Sequence, residues 1–203
     1  LQNVSVNDTG EEGIYAFQTS GNWTLQNVSV TATDEVGVYG DESTGNWTLQ
    51  NVSVANTGRD FGEAVFAGET TGDWTLQNVV VTDAGDTGLY ADSATGNWTL
   101  QNVSVTDTGE QGIEGGDGNW TLQNVSVNGT GEEGIDAGFA EGDWTLQQVS
   151  VTDTDDGGLD ADAADGNWTL TNGSVANSGD EGIEATRDWL ANTVVVGLAV
   201  GGA

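Results

Sequence analysis

The sequence lacks several residue types on which protein chemistry commonly relies. It contains no Cys, His, Met, Lys or Pro, and its two basic residues, Arg59 and Arg187, stand against 33 acidic ones. The absence of Cys excludes disulfides, zinc–thiolate sites and thiol nucleophiles, and the absence of His and Lys excludes catalysis through those side chains. A net charge of −31 leaves no basic surface to neutralise phosphates, so nucleic-acid binding is excluded.

Long hydrophobic runs are also missing. No stretch approaches the ~20 apolar residues of a membrane span, and the apolar tail at 193–203 is too short for one. The chain begins at Leu1 rather than Met, which we interpret as removal of a signal peptide or as a fragment. A hydrophobic content of 35% with eight Trp and 32 Gly is not typical of a disordered acidic tail.

The sequence does contain an internal repeat. The motif G-N-W-T-L-Q-N-V-S-V recurs along the chain, and most Trp residues are 24 positions apart. Length changes are confined to three places: an insertion near Arg59, and deletions before Trp120 and before Trp189. Repeats that change length only in their connectors are typical of a stacked solenoid.

Each repeat contains three short segments with alternating apolar and polar residues: W-T-L, V-S-V and G-I-Y-A. This period of two predicts half-buried strands, and no segment shows the 3.6-residue period of a helix. We therefore predict an all-β parallel β-helix of about eight 24-residue coils, with three short strands per coil. It forms one domain over 1–203, with coil repeats to about 188 and a degenerate final coil and apolar tail at 189–203.

Several columns of equivalent residues support this stacking. Trp and the small residues at the position of Ala16 are predicted to face inward, large opposite small. Thr24 and its equivalents form an outward column. An Asn, replaced once by Gln148, marks the bend between the first two strands, where a left-handed backbone is needed, and its amides are predicted to stack inside. The bend residues are Asn27, Asn51, Asn78, Asn102, Asn124 and Asn172.

The L-Q-N-V-S-V and T-G-x-x-G-I pieces resemble the strand–Asn–strand–turn coil of right-handed parallel β-helix repeat proteins, the pectate-lyase-like architecture. The resemblance covers nearly all of the chain. It implies a right-handed solenoid, and it says little about activity because many functions share this fold.

The excess of acidic residues predicts an environment. A Lys-free chain with this charge repels itself in dilute buffer, and multimolar salt removes that repulsion. The composition resembles secreted surface proteins of halophilic archaea; the alternative is an acidic secreted protein that binds calcium. We expect an extracellular or cell-surface location.

A column of acids lies five residues after the V-S-V segment, with Arg59 in its place in the third coil. Stacked carboxylates invite cations, so these acids are weak candidates for Na, K or Ca sites, against the alternative of a solvated acidic face; no other cofactor is expected. The candidates are Glu11, Glu35, Asp86, Glu110, Glu132, Asp156 and Asp180.

The outward residue of the third strand is aromatic in the first four coils and acidic in the next four. An exposed aromatic column is a candidate contact for a glycan or a partner, and the alternative is cross-strand pairing that stabilises the sheet. The aromatic residues are Tyr15, Tyr39, Phe66 and Tyr90, followed by Glu114, Asp136, Asp160 and Glu184.

Two sets of sequons recur. The N-W-T set lies at a predicted exposed turn and is a candidate for N-glycosylation, whereas the N-V-S set belongs to the stacked Asn column and is predicted to be unmodified. The candidate glycosylation sites are Asn22, Asn46, Asn97, Asn119 and Asn167.

An enzyme is not predicted. Lyases on this fold need a basic residue, and Arg59, in the third-coil insertion, is the best candidate; the acids repeat periodically, which argues for a property of the repeat rather than of one site.

The complementary ends of the solenoid favour head-to-tail stacking. We predict a non-enzymatic structural protein of the cell surface or of an extracellular filament, with self-association; the alternative is a glycan-binding adhesin or surface module that uses the aromatic column.

Overall fold

The computed structural model describes residues 1–58, 62–91 and 93–185, together with the backbone of 189–197. These residues form seventeen β-strands in two parallel sheets, and no helix occurs among them. The described part therefore has no helix that is long and apolar enough to cross a membrane. The predicted parallel β-solenoid of about eight coils is confirmed.

The strands alternate between long and short along the chain. The nine long strands form one sheet: β1 Gln2–Thr9, β3 Trp23–Thr33, β5 Trp47–Thr57, β7 Trp74–Ala84, β9 Trp98–Thr108, β11 Trp120–Thr130, β13 Trp144–Thr154, β15 Trp168–Ser178 and β17 Trp189–Gly197. The eight short strands form the other: β2 Ile14–Tyr15, β4 Val38–Tyr39, β6 Val65–Phe66, β8 Leu89–Tyr90, β10 Ile113–Glu114, β12 Ile135–Asp136, β14 Leu159–Ala161 and β16 Ile183–Ala185. One long strand and the short strand that follows it make one coil.

Equivalent residues of neighbouring coils pair directly. Trp23 pairs with Trp47, and Val30 pairs with Val54, so the strand register reproduces the sequence repeat. The last long strand follows the same rule, because Trp189 pairs with Trp168. The repeat therefore continues through the degenerate final coil at the level of the backbone.

The long strands differ in one respect from the prediction of three short strands per coil. The predicted W-T-L and V-S-V segments belong to one strand of 11 residues, which bends where the backbone becomes left-handed, at Asn27 (φ 52°) and again at Ala32 (φ 54°). Each bend turns the chain around the core, and the pairing with the next coil skips the bend residue and resumes directly after it.

The Asn column at the first bend lies outside the core. Asn27 is exposed, and its Nδ2 donates to Asn3 Oδ1 at 3.0 Å, while Asn51 donates to Asn27 in turn. The amides therefore stack from coil to coil as predicted, but the prediction that this column faces inward is wrong. A positive φ reverses the alternation of side-chain directions, so the residue at the bend points to solvent.

The core is built around a column of stacked indoles, which we call the indole column. Neighbouring rings from Trp23 to Trp168 lie with centroids 4.7–5.1 Å apart and nearly parallel. The small residues face this column as predicted: a Cβ on Gly40 would lie 2.8 Å from Trp74 Cζ2 and 2.9 Å from Trp47 Cζ2. In each layer of the core a large Trp thus faces a small residue, so the total side-chain volume stays nearly the same from coil to coil.

The indoles contribute packing rather than hydrogen bonds. Five buried Nε1 atoms, those of Trp47, Trp74, Trp98, Trp120 and Trp144, have no hydrogen-bond partner among the described residues, although a buried donor without a partner costs about 1–3 kcal/mol. The burial of a large aromatic surface and the ring stacking offset that cost.

Candidate functional site

A long groove follows the second bend of the long strands, and we call it the bend groove. It has a volume of about 1000 Å³ and extends over seven coils, which corresponds to roughly 29 Å at ~4.8 Å per coil. The side chains that reach its surface are acids, amides, Thr and Ala. The lining includes Asp8, Ala32, Asp34, Asn56, Asp83, Asp107, Gly129, Asp153 and Asp155.

The residue at the second bend sets the polar character of the groove. Asp83 (φ 53°) and Asp107 (φ 56°) adopt the left-handed backbone that the bend requires, which short polar residues tolerate better than other non-glycine residues. Their carboxylates are exposed. The bend therefore places hydrogen-bonding groups along the groove at the spacing of the coils.

The next residue is a buried Thr in most coils and forms the floor of the groove. Thr33 is 2% exposed, and its hydroxyl donates to the Glu35 carbonyl at 2.8 Å. Thr130 makes the same bond to the Glu132 carbonyl. These hydroxyls are used inside the coil, so the groups that remain for a ligand are those of the bend residues.

Asp107 and Asp153 differ in their surroundings. Asp153 accepts two amide hydrogen bonds at 2.9 Å, from Asn128 Nδ2 to Oδ2 and from Asn177 Nδ2 to Oδ1. Asp107 accepts no side-chain hydrogen bond from the described residues, and its Oδ1 lies over the backbone of Gly129, where a Cβ would be only 2.7 Å away. The Asp153 carboxylate is thus held by hydrogen bonds to both of its oxygens, whereas the Asp107 carboxylate lies beside the space that a side chain at position 129 would fill.

The sequence analysis missed these bend acids. A signal was present, because Asp or Asn stands two residues after the last Val of the V-S-V segment or its equivalent in six of the eight coils, and such short polar residues are typical of turns. The concave surface itself carried no signal, because it arises from the packing of three neighbouring columns.

The predicted acid column lies beside the groove, and its members stack. Glu132 N donates to the Glu110 carbonyl, and Asp156 N to the Glu132 carbonyl, both at 3.4 Å. A hydrogen bond with Asp86, together with burial and the neighbouring charges, raises the pKa of Glu110 to about 7. Burial raises the pKa of Glu63 as well. The described residues contain no group of three or more acids placed to hold a metal ion, and the predicted Na, K or Ca binding stays a prediction.

The predicted aromatic column is a continuous stack. The rings of Tyr15, Tyr39, Phe66 and Tyr90 lie 5.0–5.1 Å apart and are tilted by 15° or less. Each inner ring therefore covers the faces of its neighbours and presents its edge to solvent. Tyr39 Oη donates to Asp41 Oδ2 at 3.0 Å, and burial and this bond raise its pKa. The geometry explains the column as cross-strand pairing, and the contact with a glycan or partner stays a prediction.

The N-W-T sequons also stack. Asn119 Nδ2 donates to Asn97 Oδ1 at 3.0 Å, and Asn167 Nδ2 donates to Asp143 Oδ1 at 2.8 Å. Bonds from the backbone and the side chain of Asn167 lower the pKa of Asp143. Asn22 and Asn46 instead accept backbone bonds through Oδ1. Glycosylation of any of these residues stays a prediction.

Both arginines lie outside the described residues, as do Asp60 and Phe61 of the third-coil insertion. The candidate that the sequence offered for lyase chemistry, Arg59, is therefore not placed. The chemistry available on the described surface is that of carboxylates, amides and hydroxyls.

Comparisons with known proteins place the fold. The sequence matches no established family profile and no curated protein. Two solved structures that resemble it are catalytic domains of a GH87 alpha-1,3-glucanase, in two variants, each in complex with tetrasaccharides. The TM-scores are 0.54 and 0.51, with 14% sequence identity and 95% of this chain covered. The chain spans 49% of those chains.

These comparisons contradict two predictions. A non-enzymatic structural protein was expected, yet the proteins found to share the fold are catalytic domains that hold tetrasaccharides. That prediction is wrong because a groove formed by stacked coils is itself repetitive, so periodic acids do not argue against a site. At 14% identity the likeness establishes the solenoid fold and nothing finer. The predicted self-association is not tested by these findings.

Proposed function

We propose that the protein binds an extended neutral glycan in the bend groove. The observation that carries this proposal is the groove itself: about 1000 Å³ over seven coils, open along its length. Ligand sites are concave and combine apolar surface with a few polar groups that fix orientation. Here Ala32 and Ala84 supply apolar surface, while Asp83 and Asp107 supply acceptors.

The negative charge of the chain favours a neutral glycan over an acidic one. With a net charge of −31 and several carboxylates in the groove, an acidic polysaccharide would meet like charges on approach, and such a juxtaposition costs several kcal/mol. A neutral sugar meets no such repulsion, and its hydroxyls donate to carboxylates and to Asn56 Oδ1. The tetrasaccharides held by the two glucanase domains support an oligosaccharide on this fold.

The aromatic column is a second candidate surface for the same class of ligand. Tyr15 is 56% exposed and Phe17, 6.4 Å away, is 37% exposed, so this end of the column offers more ring surface than its middle. A glycan bound here would contact ring edges at Tyr39 and Phe66, because the faces are covered.

The proposal also includes the environment in which the protein binds its glycan. A net charge of −31 favours a high-salt, extracellular or cell-surface environment for a pectate-lyase-like solenoid. The expected result is a melting temperature that rises steeply between low and molar NaCl, measured by circular dichroism. A melting temperature that is unchanged over that range would remove the halophilic setting.

Calorimetric titration tests the site. Neutral glucan tetrasaccharides of several linkages should bind, and acidic oligosaccharides of equal length should not. The double variant Asn56→Ala, Asp83→Ala removes two polar groups from the second bend. Ala32 occupies the equivalent position in the second coil with a left-handed backbone, so Ala fits this bend. At ~1 kcal/mol for each lost hydrogen bond, its affinity should fall about thirtyfold.

Two controls accompany this titration. Asp73→Asn makes a matched charge change at the G-D-W turn, where other repeats have Asn, and should bind like the wild type. Tyr90→Ala tests the aromatic column. Loss of binding in Tyr90→Ala with full binding in the double variant would move the site to that column, and the absence of binding to every neutral glycan would overturn the proposal.

A further inference from the structure

The indole column is continuous and uniform, and one of its rings is open to solvent. Its seven rings, from Trp23 to Trp168, lie 4.7–5.1 Å apart at interplanar angles of 2–7°, which is a separation typical of offset aromatic pairs. The rings from Trp47 to Trp168 are buried, whereas Trp23 is half-buried. The core therefore contains an unbroken row of π-systems, roughly 29 Å long at ~4.8 Å per coil, that meets solvent at Trp23.

Electrons pass readily between neighbouring rings of such a row. The electronic coupling between two π-systems falls off exponentially with their separation, so an electron moves much faster between adjacent indoles than between rings two coils apart. Because every adjacent pair of the column has nearly the same separation, no step is much slower than the others. A missing electron, which we call a hole, can thus move along the column by short steps.

The composition leaves the hole few other places to go. The side chains that are oxidised most readily are those of Cys, Met, Trp, Tyr and His, and this chain has no Cys, Met or His. Its three Tyr lie in the separate aromatic column, where Phe66 stands between Tyr39 and Tyr90, and the ring of Phe is much harder to oxidise than a phenol or an indole. The indole column is therefore the continuous oxidisable path through the molecule.

The surroundings of the Nε1 atoms keep the hole mobile inside the column and stop it at one end. An oxidised indole is a strong acid at Nε1, and it stays charged and mobile only while no base takes that proton. The Nε1 atoms of the five rings from Trp47 to Trp144 have no hydrogen-bond partner among the described residues, so the proton remains in place. Water that reaches the half-buried Trp23 accepts the proton and stops the hole there.

The charge of the chain favours the same arrangement. An unpaired charge in an apolar core is costly, but the net charge of −31 surrounds the column with a negative potential that stabilises a cation inside it. Solvation of the cation is best at Trp23, because the other six rings are buried. A hole formed anywhere in the column is therefore drawn to Trp23.

We propose that the indole column conducts a hole through the core to Trp23 and so carries one-electron oxidation along the solenoid, a function separate from glycan binding. A one-electron oxidant removes an electron from an indole and is itself reduced. In each step a neighbouring indole passes an electron to the oxidised ring, and no bond is formed or broken. At Trp23 the Nε1 proton goes to water and leaves a neutral indolyl radical, which a nitroso compound traps by forming a bond from its nitrogen to a ring carbon.

The test starts the hole at the end of the column that is far from Trp23. Ala163 is exposed in the turn before Trp168, and because the chain has no Cys, Ala163→Cys gives the full chain one attachment point for a ruthenium polypyridyl label. Light and a dissolved cobalt(III) ammine, which takes up an electron from the excited label, turn the label into a one-electron oxidant. With a nitroso spin trap present and oxygen excluded, peptide mass spectrometry should find the adduct on Trp23.

Interruption of the column should abolish this adduct. Trp98→Phe in the labelled protein replaces one indole by a ring that is much harder to oxidise, and circular dichroism shows whether the fold is kept. Unfolding the labelled protein in urea interrupts the stack without a substitution and should give the same loss. Tyr90→Phe, in the aromatic column, is the control and should leave the adduct on Trp23 unchanged.

Three results would overturn the inference. An equal Trp23 adduct after Trp98→Phe would mean that the oxidant reaches Trp23 through solution. Loss of the adduct in Tyr90→Phe would move the path to the aromatic column. An intact column that gives no adduct on Trp23 would show that it does not conduct.

Discussion

The indole column and the bend groove run along the same coils, yet they vary in opposite ways. Every long strand from β3 to β15 begins with Trp, whereas the second bend holds Asp, Ala, Asn or Gly over the same coils. An indole in the core has neighbours on all sides, so only one shape fits. The second bend requires only a left-handed backbone, and the side chain there is exposed to solvent. Side-chain identity can therefore vary at the exposed bend, whereas the packed core allows only Trp.

The largest expected effect is in the indole column. Trp98→Ala removes a side chain that is 1% exposed and stacked on both sides, so it should lower the free energy of unfolding by about 3–5 kcal/mol. Urea denaturation followed by circular dichroism measures this loss. The outward neighbour provides the control: Thr99→Ala should change stability by less than about 0.5 kcal/mol, and an equal loss in both variants would contradict the inward assignment of Trp98.

The small column opposite the indoles should show the next largest effect. Ala91→Leu adds three carbons at a position that is 0% exposed, and overpacking of this kind costs about 1–3 kcal/mol. Ala163→Leu adds the same atoms at an exposed position and should be nearly neutral. Thermal melts of the two variants make the comparison, and an unchanged melting temperature for Ala91→Leu would show that the core has unused space.

The acid column beside the groove should respond to pH. Glu110 has a pKa raised from 4.5 to about 7, so the folded state favours its protonated form. Its contribution to stability is present below pH 4.5 and is lost as the pH rises through 7. Because the group is largely exposed, solvent screening limits this to about 1 kcal/mol. Melting temperatures from pH 4 to 8 should fall for the wild type and fall less for Glu110→Gln, with Glu35→Gln as the control.

The smallest effect on stability is expected at the second bend. Asp107→Asn should change the free energy of unfolding by less than about 0.5 kcal/mol, because Asn56 and Asn177 occupy the same bend with the same backbone. Chemical denaturation provides the measurement. A loss of more than 1 kcal/mol would mean that the bend carboxylates hold the fold together, and the contrast with the indole column would fail.

The sequence was sufficient to predict the columns because every coil repeats the same spacing. Trp98 and Ala91 face inward as predicted, and one period of the repeat separates paired residues. The direction of Asn27 was not predictable from alternation, because a residue with positive φ departs from the two-residue period of a strand.

The groove and the function were less accessible to sequence reasoning. The concave surface depends on how Asp83, Ala84 and Gly85 of one coil lie against their equivalents in the next. The periodicity of the sequence does not predict how deep the bend groove is. Periodic acids suggested a solvated face. In the structure a different set of residues, those of the second bend, places the carboxylates of Asp8, Asp83, Asp107 and Asp153 along a groove.

The most direct test of the account is an NMR titration of isotope-labelled protein with a neutral tetrasaccharide. The account predicts that the amide signals that shift belong to the bend groove, among them those of Asp83, Asp107, Gly109 and Gly131. Shifts confined to Tyr15, Tyr39 and Phe66, or no shift with any neutral glycan, would contradict the claim that the bend groove is the binding site.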